Sequence, residues 1–323
     1  MDVNVKTIDE EAYDCYLIAI ATVLNSMEKD YQMISAGYWG FKYISLDKRE
    51  DKKIGNGIFP YERRYVEGEK IFYGTELKIS YQAGTSQGRR AKESIEALLK
   101  ERKIVIVVAD AYWCSWSTYY KKIHYKHCYL IYGKENENYK CLDPYVNNLF
   151  FEETYENMYL DESCKYVLEL FSENKNIERE KVLHVLKQDY EYICQSELVE
   201  NVQRLIHDID EFFVYEDEIE GDVEQKIISP LIENIRILIR NRQGYLLMLS
   251  YLNEIEQFDF KLTTEMAEKC INNWKKLRFL IIKNIYLNKK KNIKELMLNI
   301  LEDILCSEKS FIDAFHEEIM AYE

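Results

Sequence analysis

No stretch of about 20 uninterrupted apolar residues occurs in the chain, so a membrane-spanning helix is not expected. The segment from Met1 to Glu11 is rich in acids and holds a single lysine. A secretory signal or transit peptide begins instead with basic residues, so the expectation is a cytoplasmic protein. The eight cysteines, at 15, 114, 128, 141, 164, 194, 270 and 306, include no Cys-x-x-Cys pair and no regular framework. Reduced thiols are therefore expected, most of them small buried apolar side chains. There is no glycine-rich phosphate loop and no dinucleotide fingerprint, so no nucleotide cofactor is implied. His124-x-x-His127 lacks a second ligand pair at suitable spacing, so no metal site is expected. With a formal net charge of −14 the chain as a whole will not seek nucleic acid or anionic membranes.

What is present divides in two. Nine of the eleven glycines precede residue 134, together with short β-like runs such as Ile104 to Ala109 and Cys128 to Gly133. Beyond about residue 175 the texture changes to long Leu, Ile, Glu and Lys segments at helical spacing, broken at Gly221, before Pro230 and near Asn288 to Asn292. This predicts an α+β domain over residues 1–172 and an all-α domain over 173–323. Residues 1–170 carry a net charge of −4, and the remainder −10.

Three segments carry chemistry. Asp14 is a plausible N-cap, and the apolar run after it predicts a buried helix with Cys15 in its first turn. Unpaired N–H groups and the helix dipole at that position favour a thiolate. The run Ile104 to Ala109 predicts a strand buried on both faces, with Asp110 at its exit, either binding the next loop's backbone or reaching an active site. Lys126 to Gly133, a turn near Glu135 to Asn138, and Tyr139 to Asp143 predict a hairpin with His127 opening one strand and Asp143 closing the other. A four-residue loop would place His127 and Asp143 on opposite faces, whereas an odd loop or a bulge would place them on the same one. A cysteine opening a buried helix, followed by His and then Asp on adjacent strands, has the order of a papain-like triad: Cys15 nucleophile, His127 base, Asp143 orienter.

Asp14-Cys15-Tyr16, Ile34 to Phe41, Val105 to Asp110, His127 to Gly133 and Leu142-Asp143-Pro144 together resemble the N-terminal domain of the butirosin biosynthesis protein H family, over about residues 8–160. That family is similar to the bacteriocin leader peptidases. The resemblance implies a papain-like fold, an N-terminal helix against an antiparallel sheet, followed by a helical extension. It implies acyl transfer to an amine from a thioester on the phosphopantetheine of a carrier protein, as in closthioamide-type thiotemplated amide synthetases, with no bound cofactor. Carrier protein and small amine are then the partners. One departure is that no Gln precedes Cys15 to serve as oxyanion donor; the Cys15 N–H and the Tyr13 hydroxyl are the candidates.

An amine must outcompete water at such a site, so an aromatic enclosure is expected. Trp113 and Trp116, with Tyr38 and Trp39 from a second segment, are candidates for lining it; the alternative is packing. Lys121, Lys122 and Lys126 flank His127 and are candidates for docking a carrier, as are Arg63/Arg64 and Arg89/Arg90/Lys92; the alternative is solvated loop charge. Two other classes stay open: a cysteine peptidase or thioesterase in which water replaces the amine, and a binding module that keeps the fold without catalysis.

Overall fold

A computed structural model describes residues 3–60, 70–72, 75–84, 90–172, 178–255, 258–287 and 293–322. The chain divides into two compact units, one of Met1–Ile34 with Tyr65–Glu178 and one of Ser35–Arg64 with Arg179–Glu323. Among the described residues no helix is long and apolar enough to cross a membrane.

The first unit is α+β. Its helix α1 spans Cys15–Ser26 and α2 Ala91–Lys100, with a single turn, α3, at Leu160–Ser163. Of the nine described strands, β1 (Lys42–Tyr43) and β2 (Ile58–Phe59) pair with each other in the second unit. The other seven form one sheet in the order β3-β4-β9-β5-β6-β7-β8, every pairing antiparallel. They are β3 (Lys70–Phe72), β4 (Thr75–Gln82), β5 (Val105–Asp110), β6 (Lys126–Glu135), β7 (Asn138–Asp143), β8 (Leu149–Thr154) and β9 (Cys164–Ser172).

The β-branched run of β5 lies between β9 and β6, buried on both faces. Val105, Val107 and Ala109 share one face with Tyr129, Ile131 and Cys141, and α2 lays Ala91, Ile95 and Leu98 on that side. Strand alternation sends Ile106, Val108, Cys128, Leu130, Leu142 and Leu168 to the other face, where α1 packs on β6 and β9. The unbroken buried run Leu17 to Leu24 is what holds α1 there.

The second unit is helical: α4 (Arg179–Gln195), α5 (Leu198–Phe212), the short α6 (Tyr215–Glu218) and α7 (Val223–Ile227), then α8 (Pro230–Glu254), α9 (Lys261–Leu287) and α10 (Ile293–Met320). It also claims residues 35–64, so the division is not the single cut near residue 172 that the change of texture predicts. The reason is a set of buried polar side chains on the helices that satisfy this segment's backbone. Asp189 accepts from Gly37 N–H at 2.7 Å, Asn201 pairs with Tyr43 N–H and the Phe41 carbonyl, and Asp208 accepts from Leu46 N–H and the Tyr43 hydroxyl. Glu218 accepts from Ile54 and Gly55 N–H. Gly55 must be glycine, because a Cβ there would collide with the backbone of Leu231.

Trp39 completes the anchorage. Its ring stacks on Phe311 at 3.7 Å, and its Nε1–H donates to Glu308 at 3.0 Å. Glu308 also accepts from Trp274 Nε1 and from Arg242 Nε, each at 2.9 Å, and both Arg242 and Glu308 are 0% exposed. Replacing one member of such a pair leaves an uncompensated buried charge, at a cost of about 3–5 kcal/mol. The variant Glu308→Ala is accordingly expected to lose roughly that much stability in chemical denaturation. A loss within the range of surface substitutions would show that the pair is not an anchor.

Candidate active site

The site is built on the first unit, where α1 meets the β6–β7 hairpin. Asp14 keeps an extended backbone, and its Oδ1 accepts from Tyr16 N–H at 3.0 Å and Leu17 N–H at 2.8 Å. That cap starts the helix at Cys15 and places the thiol among the first-turn N–H groups, where negative charge is favoured. The half-buried Cys15 lies with Sγ 3.9 Å from the Lys126 carbonyl.

The hairpin turns on two residues, Asn136 and Glu137, with Asn136 in the left-handed region at φ 54°. On the turn side Gly133 faces Lys140, a register that carried onward would set Asp143 opposite Leu130, on the face away from His127. Tyr132 interrupts it as a bulge. Beyond it Leu130 faces Leu142, so Asp143 falls opposite Tyr129, on the face that also carries His127. Leaving Tyr132 out of the pairing is what brings the two side chains together.

His127 Nε2 and Asp143 Oδ2 are 2.5 Å apart, with His127 6% exposed and Asp143 0%. Trp116 Nε1–H donates to the same Oδ2 at 2.8 Å. Asp143 Oδ1 accepts from Tyr145 and Val146 N–H, each at 3.1 Å. A buried carboxylate with four donors has both oxygens satisfied and a fixed orientation. Its hold on Nε2 leaves Nδ1 of the imidazole for Cys15.

The acidities follow. A hydrogen bond from Cys128 lowers the Cys15 thiol most; burial opposes it, and a bond from His127 helps bring it to about 6. For His127, burial works against the charge, but hydrogen bonds to Asp143 and Cys15 outweigh it and raise the imidazole to about 10. Between these values the pair is thiolate and imidazolium. Burial instead raises the Cys114 and Cys164 thiols, each to about 12, and the Cys141 and Cys270 thiols further. Cys128 is raised by its bond to Cys15 and by burial.

Several expected lining residues do other work. Trp116 holds Asp143, with its ring edge-on to Tyr129 and against Phe151. Tyr38 and Trp39 are buried in the second unit, Trp39 among Phe311, Tyr245 and Arg242, because the segment carrying them is anchored there. Asp110 takes the structural alternative, accepting from Tyr112 and Tyr125 N–H and pairing with His124 Nδ1 at 2.7 Å. Burial disfavours its charge, but His124 and those backbone groups hold the carboxyl below its ordinary value. Trp113 packs on Tyr159 and Tyr112, and Tyr13 is buried edge-on to Tyr31.

Among the lysines, Lys121 and Lys122 are exposed, Lys121 over the Tyr120 ring, and Lys126 lies over the rings of Tyr16 and Tyr166. Arg90 caps α2, and Lys92 pairs with Glu156 at 3.4 Å, whereas Arg63, Arg64 and Arg89 lie outside the described residues. His124 and His127 are committed to different carboxylates, and among the described residues no group of three or more His, Cys, Asp or Glu is placed to hold a metal. Two groups escape sequence reasoning: Cys128, buried on the face of β6 that meets α1, and Tyr145, whose ring lies edge-on to His127 at 6.2 Å. Strand alternation puts Cys128 on the face of α1, which was the available signal for the first. No family model matches the chain, and no curated protein matches it.

Alkylation of Cys15, followed by peptide mass spectrometry, is expected to rise through about pH 6 as the thiolate forms. A midpoint at the ordinary thiol value would contradict the ion pair. Deleting Tyr132 removes the bulge but leaves Ile131 opposite Cys141 and Asp143 opposite Tyr129, so His127 and Asp143 are expected to stay paired. The histidine's titration, followed by NMR, should stay raised; a fall to its ordinary value would mean that the pairing on either side of the bulge does not set the register.

Proposed function

We propose that this chain is a cysteine-dependent acyltransferase of papain-like layout that forms amide bonds. It takes an acyl or peptidyl group from a carrier-protein thioester onto Cys15 and passes it to an amine. The observation that carries the reading is the buried His127–Asp143 pair, Nε2 to Oδ2 2.5 Å, on the hairpin that α1 meets with Cys15 in its first turn. A thiol, an imidazole and a carboxylate in that order support acyl transfer through a thiolate, with Cys15 as nucleophile, His127 as acid–base group and Asp143 as orienter.

In this reading the Cys15 thiolate attacks the thioester carbon, and the oxyanion that forms is met by the Cys15 N–H at the start of α1. Collapse expels the carrier's thiol, which takes the proton from His127 as it leaves. The incoming amine attacks the Cys15 acyl-enzyme and gives a proton to the now neutral His127. Collapse releases the amide and restores thiolate and imidazolium. Asp143 holds the ring through both steps, and Trp116 holds Asp143. The thioester supplies the activation, so the reading needs no nucleotide.

One observation favours the rival hydrolytic reading, a peptidase or thioesterase. Tyr38 and Trp39 are buried in the second unit, while Cys15 is partly exposed. Intact-protein mass spectrometry after incubation with an acyl-loaded carrier protein separates the readings. An acyl adduct on the wild type, absent from Cys15→Ala and released as amide by an added amine, is the expected result. Release only as free acid would replace the transferase with a hydrolase, and no adduct would remove both.

A further inference from the structure

We propose that one exposed face of α9, carrying Lys275, Lys276, Phe279, Lys283 and Tyr286, docks an acidic partner, the carrier protein that presents the thioester. The inference rests on the acyltransferase reading and adds to it the surface that recognises the donor.

The composition of this stretch departs from that of the chain. From Lys269 to Lys294 there are nine Lys and Arg residues and no Asp or Glu, in a protein of net charge −14. Within it α9 turns Trp274, Leu277, Ile281 and Ile285 inward. Positions 275, 276, 279, 283 and 286 recur at helical spacing on the opposite side, and all five side chains are exposed. Phe279 and Tyr286, 65% and 64% exposed, are the most exposed large apolar side chains among the described residues. Lys276 Nζ donates to Asn273 Oδ1 at 3.1 Å, and among the described residues no carboxylate pairs with Lys275, Lys276 or Lys283. Along one flank, burial and then Arg236 and Arg240 of α8 lower the Arg278 guanidinium from its ordinary value, against Glu233. Two aromatic rings two turns apart among unpaired lysines have the make-up of an interface, apolar anchors within a charged rim.

The extent of the face says what kind of polyanion fits it. From Lys275 to Tyr286 it is about 17 Å long. Exposed acids bound it, Glu265 and Glu268 earlier on α9 and Glu295 at the start of α10. An extended nucleic acid or a lipid surface reaches past such a patch and meets those acids, on a chain that is acidic as a whole. A compact protein with an acidic helical face and apolar residues along it does not. In the reaction proposed above that partner is the carrier, whose phosphopantetheine arm is joined through a phosphodiester and so adds a negative charge at its root. Opposite charge speeds and orients the encounter, and the two rings supply the centre of the contact.

The test is the rate at which Cys15 is acylated, followed by intact-protein mass spectrometry with two donors: the acyl-loaded carrier protein, and the same acyl group on free pantetheine. Wild type is compared with the triple variant Lys275→Glu, Lys276→Glu, Lys283→Glu and with the double variant Phe279→Ser, Tyr286→Ser, with circular dichroism to show that each is folded. Both variants are expected to lose about tenfold or more of the rate from the carrier and none of the rate from acyl-pantetheine. Added salt should narrow the gap between wild type and the charge variant. Folded variants acylated by the carrier as fast as wild type overturn the docking face and leave the acyltransferase reading intact. Wild type acylated no faster by the carrier than by acyl-pantetheine does the same. Wild-type Cys15 acylated by neither donor overturns the acyltransferase reading, and the proposal with it. Polyuridylate RNA or anionic lipid vesicles that bind through these lysines, where the carrier does not, give the face to another partner and overturn the proposal.

Discussion

A fully buried carboxylate is costly to leave without partners, and Asp143 has four hydrogen bonds. Everything described at the site depends on that arrangement. The two backbone donors come from the turn just after the strand and fix one oxygen. The Trp116 indole and the His127 imidazole share the other, so the ring is aimed by a group that has no freedom of its own. The bulge at Tyr132 belongs to the same constraint, since pairing Tyr132 in line would place the carboxylate on the other face of the sheet. The orientation of His127 is therefore decided at a residue that touches neither the thiol nor the imidazole.

The parts of the fold that were legible in the sequence are those encoded locally. Asp14 before an apolar run marks a capped helix, and the β-branched run before Asp110 marks a strand covered on both sides. The hairpin showed in its two apolar strands. Which face Asp143 would take was not decided by the pattern, because both registers bury the same kinds of side chain. An isolated Gly133 inside a strand was the one local hint of a bulge beside it. Trp116 was legible as an aromatic near His127 but not as a donor: that role depends on a carboxylate 27 residues further on.

Segment 35–64 shows the limit more sharply. Ile34 to Phe41 is apolar and aromatic, and nothing local says which core receives it. The information lies on the distant helices, where Asp189, Asn201, Asp208 and Glu308 stand at positions that an ordinary amphipathic face would give to apolar residues. A polar residue on the apolar face of a helix implies a partner. Here the partners are the N–H and C=O groups and the side chains of a segment with little regular structure of its own.

That pairing has a consequence for the order in which the molecule is made. Trp39 and Glu308 are separated by 269 residues, so on the ribosome the tryptophan segment emerges long before the helix that will receive it. The sheet of the first unit, drawn from residues 70–172, can close while the helices are still being synthesised. Until then residues 35–60 lack the helices that supply their hydrogen-bond partners, so their burial waits for the last part of the chain.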